Sequence, residues 1–118
     1  MSHSILRLSP SRGVVATFGL TLALVSAASA LTGDAVRISQ KGQEFRPGDI
    51  TIAKDGEIEI VNDDGDILHH AYVDSDTFKF DTGDQKPGSH TKIAFAVSGT
   101  FNVFCAIHPR MKLVVHVN

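Results

Sequence analysis

The chain has 118 residues and a mass of 12.6 kDa, with 11 basic and 13 acidic side chains, a formal net charge of −2 and 42% apolar residues. That length fits one domain and not two, and the slightly acidic balance lacks the basic face that nucleic-acid binding requires. A single cysteine excludes an internal disulfide and a CxxC or four-cysteine zinc site.

Residues 1–30 read as an export signal. Arg7 and Arg12 precede the apolar run Gly13 to Val25, and Ser26-Ala27-Ala28-Ser29-Ala30 sets Ala28 and Ala30 in the A-x-A arrangement that signal peptidase accepts. The run is shorter than the roughly 20 residues of a bilayer span, so cleavage after about Ala30 is expected, with no membrane span afterwards. No cysteine follows the run and no arginine pair precedes it, which fits the general secretion route. The expected product is residues 31–118, a small acidic domain exported to a bacterial periplasm. It carries Cys105 unpaired in an oxidising compartment, where a thiol is a liability unless something binds it.

The remainder alternates apolar and polar residues with a period of two. Val36-x-Ile38, Ile50-x-Ile52 and Ile58-x-Ile60 come first, then the segment Ile67 to Val73. Ile93-x-Phe95, Phe101-x-Val103-x-Cys105 and Leu113-x-Val115-x-Val117 follow, with Gly and Pro turns between the runs. This pattern predicts an all-β sandwich or barrel of about seven or eight short strands. The missing cysteine pair and core Trp speak against an immunoglobulin domain. In the segment Ile67 to Val73 the odd positions form the more apolar face, so His69 is expected inward and His70 outward with Tyr72. Along Phe101, Val103 and Cys105 the same parity turns the thiol inward.

Directly after that last run stands Cys105-Ala106-Ile107-His108-Pro109-Arg110-Met111, a C-x-x-H-x-x-M spacing that includes the only methionine outside the leader. Thiolate, imidazole and thioether are the ligand set that suits copper, and two His nitrogens with one Cys sulfur and a long axial Met define an electron-transfer copper site. Singly, each residue has a plainer reading: Cys105 as a small hydrophobe, His69 as a hydrogen-bonded core histidine, Met111 as packing. Jointly, the only cysteine, the only mature methionine and a histidine within one loop favour a metal site made of His69, Cys105, His108 and Met111, with His70 as the competing upstream ligand.

The run Gly99 to Met111 resembles the copper-binding loop of the cupredoxins, the type 1 blue copper proteins. Its spacing between His108 and Met111 resembles the amicyanin loop more than the longer loops of plastocyanin or pseudoazurin. Upstream, Phe45-Arg46-Pro47 is similar to the family's F-x-P strand entry, and Val61-Asn62-Asp63-Asp64 to the stretch before its first copper histidine. The resemblance implies a cupredoxin-like Greek-key β-sandwich over residues 31–118, holding one type 1 copper ion on His69, Cys105, His108 and Met111. The chain departs from the family at Leu68-His69-His70, where many members have Pro-His-Asn, and at Ile107, where many have Pro; a looser loop is expected from the second change.

The function implied is a small periplasmic electron carrier cycling between Cu(II) and Cu(I), with His108 nearest solvent and Ile107, Pro109 and Leu68 framing its edge. Its partners would be redox proteins such as a c-type cytochrome or a periplasmic dehydrogenase, and a monomer is expected. The alternative is a copper chaperone or storage protein without redox turnover. A hydrolase built on Cys, His and Asp is disfavoured, because so small a sandwich leaves little room for a substrate cleft. His90 and His116 are expected to be solvent-exposed bystanders, and Asp63, Asp64, Asp66, Asp74, Asp76, Asp81 and Asp84 to form a solvated face, since they lack the EF-hand order.

Overall fold

The computed structural model describes residues 34–118 and, before them, only Gly13 and Gly19. Those two glycines apart, the segment expected to be an export signal lies outside the described residues. Among the described residues no helix is long and apolar enough to cross a membrane.

Among the described residues nine strands follow in chain order: β1 (Val36–Lys41), β2 (Glu44–Arg46), β3 (Asp49–Ile52), β4 (Glu57–Asn62), β5 (Ala71–Asp74), β6 (Lys79–Asp81), β7 (His90–Ala94), β8 (Gly99–Cys105) and β9 (Lys112–Val117). They form two sheets, β2-β1-β4-β7 and β3-β9-β8-β5-β6. Neighbours are antiparallel except β1 with β4 and β3 with β9, which are parallel. Compared with the seven runs legible in the sequence, β2 and β6 are additional. Each is three residues long and lies at the edge of its sheet.

Alternation decides which side chains meet between the sheets. In β8, Phe101, Val103 and Cys105 are buried while Asn102 is exposed, and in β9 Leu113, Val115 and Val117 are buried. Ile38, Ile58 and Ile60 from the other sheet, with Phe95 just after β7, complete the same core. Each such side chain contributes roughly 1.5–3 kcal/mol by leaving water. Phe78, Phe95 and Phe101 pack with ring centroids 5.0, 5.4 and 6.0 Å apart. Phe101 stands about 13 Å down β8 from Cys105, at about 3.3 Å per residue.

Turn geometry sets the β1–β2 register. Gly42 and Gln43 both have positive φ, 62° and 59°, between the paired residues Lys41 and Glu44. That is the two-residue turn whose twist matches the flanking strands. The end of β1 lies beside the end of β4 through the pair Gln40 and Asn62. In the second sheet Ala71 pairs with Cys105, and Phe104 with Lys112. Buried side-chain hydrogen bonds join these strand ends, so one end of the sandwich collects Cys105, the chain before β5 and the β8–β9 connection.

Candidate metal centre

Cys105 is the last residue of β8, and its thiol is free and 2% exposed. The chain then turns over the end of the sandwich and enters β9 at Lys112. Within this turn the Met111 N–H donates to the His108 carbonyl at 3.0 Å, and the Ala106 N–H donates to the His70 carbonyl at 2.8 Å. The first bond closes the loop and the second ties it to the chain before β5. Met111 is 1% exposed and belongs to the apolar core. Ile107, Pro109 and Arg110 stay exposed, His108 is half-buried between them, and these four with Gln43 line a shallow open depression.

His69 comes from the segment before β5. It pairs with Gln85 in an isolated bridge, its N–H donating to the Gln85 carbonyl at 3.1 Å and its carbonyl accepting from the Gln85 N–H at 2.7 Å. The ring is fully buried. Its Nδ1 lies 3.8 Å from Cys105 Sγ, and His108 Nδ1 lies 3.7 Å from the same sulfur. The two rings have centroids 5.0 Å apart, and the three donor atoms lie within 4.8 Å of one another.

These separations test whether a metal fits. Bonds of about 2.3 Å to sulfur and about 2.0 Å to nitrogen, with about 120° between them, hold S and N about 3.7 Å apart, whereas a tetrahedral angle draws them to about 3.5 Å. The observed 3.8 and 3.7 Å let the sulfur and both nitrogens reach one such ion. A His₂Cys donor set suits copper.

His70 stands outside this cluster. Its ring lies at the surface between Asp81, on Nε2, and Asp84, 3.3 Å from Nδ1. His90 is exposed as expected, whereas His116 is half-buried in β9, and each has a carboxylate partner: Glu59 at 2.6 Å and Asp49 at 3.1 Å.

The acidic residues do not form one uniform solvated face. Asp64 is half-buried and its Oδ2 meets His69 Nε2 at 2.7 Å, while its Oδ1 accepts from the Gly42 N–H at 3.1 Å. Desolvation raises the Asp64 carboxyl most of any single cause. The hydrogen bonds from His69 and the Gly42 amide, with the charge of Lys41 nearby, outweigh it and leave the group below the ordinary carboxylate value. Asp63 takes the Ser39 hydroxyl and the Arg37 guanidinium, which in that order hold it low against desolvation.

A buried polar network that the sequence did not single out backs the His69 segment. Gln40 Nε2 donates to Gln85 Oε1 at 2.7 Å, and that oxygen also accepts from the Ala71 N–H at 3.2 Å. Asn62 Nδ2 donates to the Ile67 and Gln85 carbonyls at 2.8 and 2.9 Å. Where many cupredoxins place an Asn after the first histidine, this chain braces the loop from Gln85 and Asn62 instead. Only the pairing of distant strands reveals these roles, since an isolated Gln or Asn carries no periodic signal.

No protein-family model matches the chain, and no match is found among the curated proteins. Solved structures do match. The copper-containing nitrite reductase NirK from Thermus scotoductus SA-01 superposes with a TM-score of 0.65 at 28% identity, over 71% of this chain and 22% of that one. This chain therefore spans less than a quarter of that enzyme's length. Amicyanin in its reduced Cu(I) form at pH 4 gives a TM-score of 0.66 at 15% identity, covering 72% of this chain and 83% of amicyanin. An oxidized amicyanin gives 0.66 at 13% identity, covering 76% and 88%. The fold is that of a cupredoxin-like β-sandwich.

Proposed function

We propose that this chain is an exported type 1 copper protein that carries single electrons, with His69, Cys105 and His108 as the strong ligands and Met111 as the weak axial one. The observation that carries this reading is the pair of Nδ1 to Sγ separations, 3.8 and 3.7 Å, which let all three donors reach one ion. Similarity to copper-binding amicyanins supports it. Bound copper would supply a one-electron Cu(II)/Cu(I) couple.

The chain's own part is to hold the donors still and dry. Cys105, packed in the core, would be kept as a thiolate away from water and oxidants. His69 is fixed by its backbone bridge to Gln85 and by Asp64 on the far side of its ring. Close-packed strands resist displacement of these groups, so the same arrangement would serve both oxidation states. His108 is the more exposed imidazole. Its edge, with Ile107 43% exposed beside it and Leu68 36% exposed ahead of His69, is the proposed doorway for electrons. A small, partly apolar contact of this kind fits a transient redox partner such as a c-type cytochrome or a periplasmic dehydrogenase. In this reading residues 31–118 are the mature periplasmic domain, released by cleavage after about Ala30. It acts as a monomeric carrier and not as an enzyme.

A visible spectrum of the Cu(II)-loaded protein is the test. An intense thiolate-to-copper band, reversible on reduction and absent in Cys105→Ser, supports the carrier. Tight Cu(I) binding without a coloured, reducible Cu(II) form would replace it with copper storage or delivery.

A further inference from the structure

Asp64 reaches the buried ring of His69 from the side opposite the thiol. Its Oδ2 is 2.7 Å from Nε2, whereas Nδ1 points at Cys105 Sγ, 3.8 Å away. A carboxylate oxygen only accepts, so this contact calls for a proton on Nε2 and favours the tautomer whose lone pair is on Nδ1, the nitrogen that faces the sulfur. The carboxylate is itself held in place. Its Oδ1 accepts from the Gly42 N–H at 3.1 Å, and the Asp64 N–H donates to Asn62 Oδ1 at 3.0 Å. The side chain is 11% exposed, and among the described residues its ion-pair partner is His69.

We propose that Asp64 is a positioning residue that selects the Nδ1-donating tautomer of His69, strengthens that nitrogen as a donor and lowers the reduction potential of the centre. The inference rests on the metal reading above. A partly buried negative charge one ring away stabilises the more positive, oxidised centre more than the reduced one, because little water intervenes to screen it. Carboxylate–histidine–metal relays act in this way elsewhere, and loss of the outer partner typically weakens metal binding about 10–100-fold.

The experiment compares the mature wild-type protein with Asp64→Asn and Asp64→Glu. Asn keeps an acceptor oxygen of nearly the same size but no charge, so a purely structural role would leave the potential where it is. The expected result is that Asp64→Asn loses about 10–100-fold in Cu(II) affinity and clearly less in Cu(I) affinity. Each tenfold difference between the two losses appears as a potential about 59 mV higher, while Asp64→Glu stays near wild type. Nitrogen-15 NMR of the metal-free wild type should show His69 protonated on Nε2. An Nδ1-protonated His69 in the wild-type apoprotein overturns the inference without any variant. So does an unchanged potential in a coloured, folded Asp64→Asn. A wild type that binds no copper overturns the metal reading along with it.

Discussion

Consecutive side chains on an extended backbone point to opposite faces, and at His69-His70 that rule separates a buried ring from one held at the surface between Asp81 and Asp84. Replacing His69 with Ala should therefore abolish the blue colour of the Cu(II) protein. His70→Ala should keep the absorption band and lose only its surface contacts to Asp81 and Asp84, with the urea midpoint nearly unchanged. Bleaching by the second variant alone would reverse the ligand assignment. Carboxylates at this scale also set the response to acid. The His90 hydrogen bond lowers Glu59, Ser39 and then Arg37 lower Asp63, and the Gly83 amide and then His70 lower Asp81. Depressed folded values mean that the unfolded chain takes up protons first. The stabilisation is full above the ordinary values of 4.5 for Glu59 and 3.8 for Asp63 and Asp81, and is lost as pH falls through the lower folded values. Urea midpoints of the apoprotein should drop as pH falls below about 4, less steeply in an Asp63→Asn, Glu59→Gln double variant.

Strands and loops divide stability from site geometry. Phe95 is fully buried in the aromatic cluster, far along the sandwich from the thiol, so Phe95→Ala should cost about 3–5 kcal/mol in unfolding free energy. The absorption maximum of the protein that remains folded should not move. Gln85→Ala should do the opposite. It removes the oxygen shared by Gln40 Nε2 and the Ala71 N–H, costs about 1–3 kcal/mol, and shifts the absorption band because the His69 segment loses its brace. The long strands were legible because each repeats buried and exposed positions several times, as Phe101, Val103 and Cys105 do. β2 buries Phe45 alone and β6 half-buries Phe80 alone, and one apolar residue makes no alternation. The closeness of Cys105 and His108 was legible because they are nearly contiguous in the chain. Asp64 was not, since its partner is set by the path of residues 63–68 and not by any spacing that distinguishes it from neighbouring acids.

For the molecule as a whole, metal binding and folding are one equilibrium. A ligand that binds only the folded state at 1,000 times its dissociation constant adds about 4.1 kcal/mol. Melting of the copper-loaded protein should thus occur well above that of the apoprotein, a chelator should erase the difference, and His69→Ala should lack it. The pairing order carries a consequence for how the thiol is protected during maturation. β9 lies between β3 and β8, parallel to one and antiparallel to the other, and the turn bearing Cys105, His108 and Met111 is the link that delivers it there. Until residues 112–117 dock, the five-stranded sheet remains split and the sulfur has no lid. Docking of β9 therefore closes the hydrophobic interior and shields the thiol in one step, so a chain in which that strand is unpaired leaves its sulfur open to oxidants.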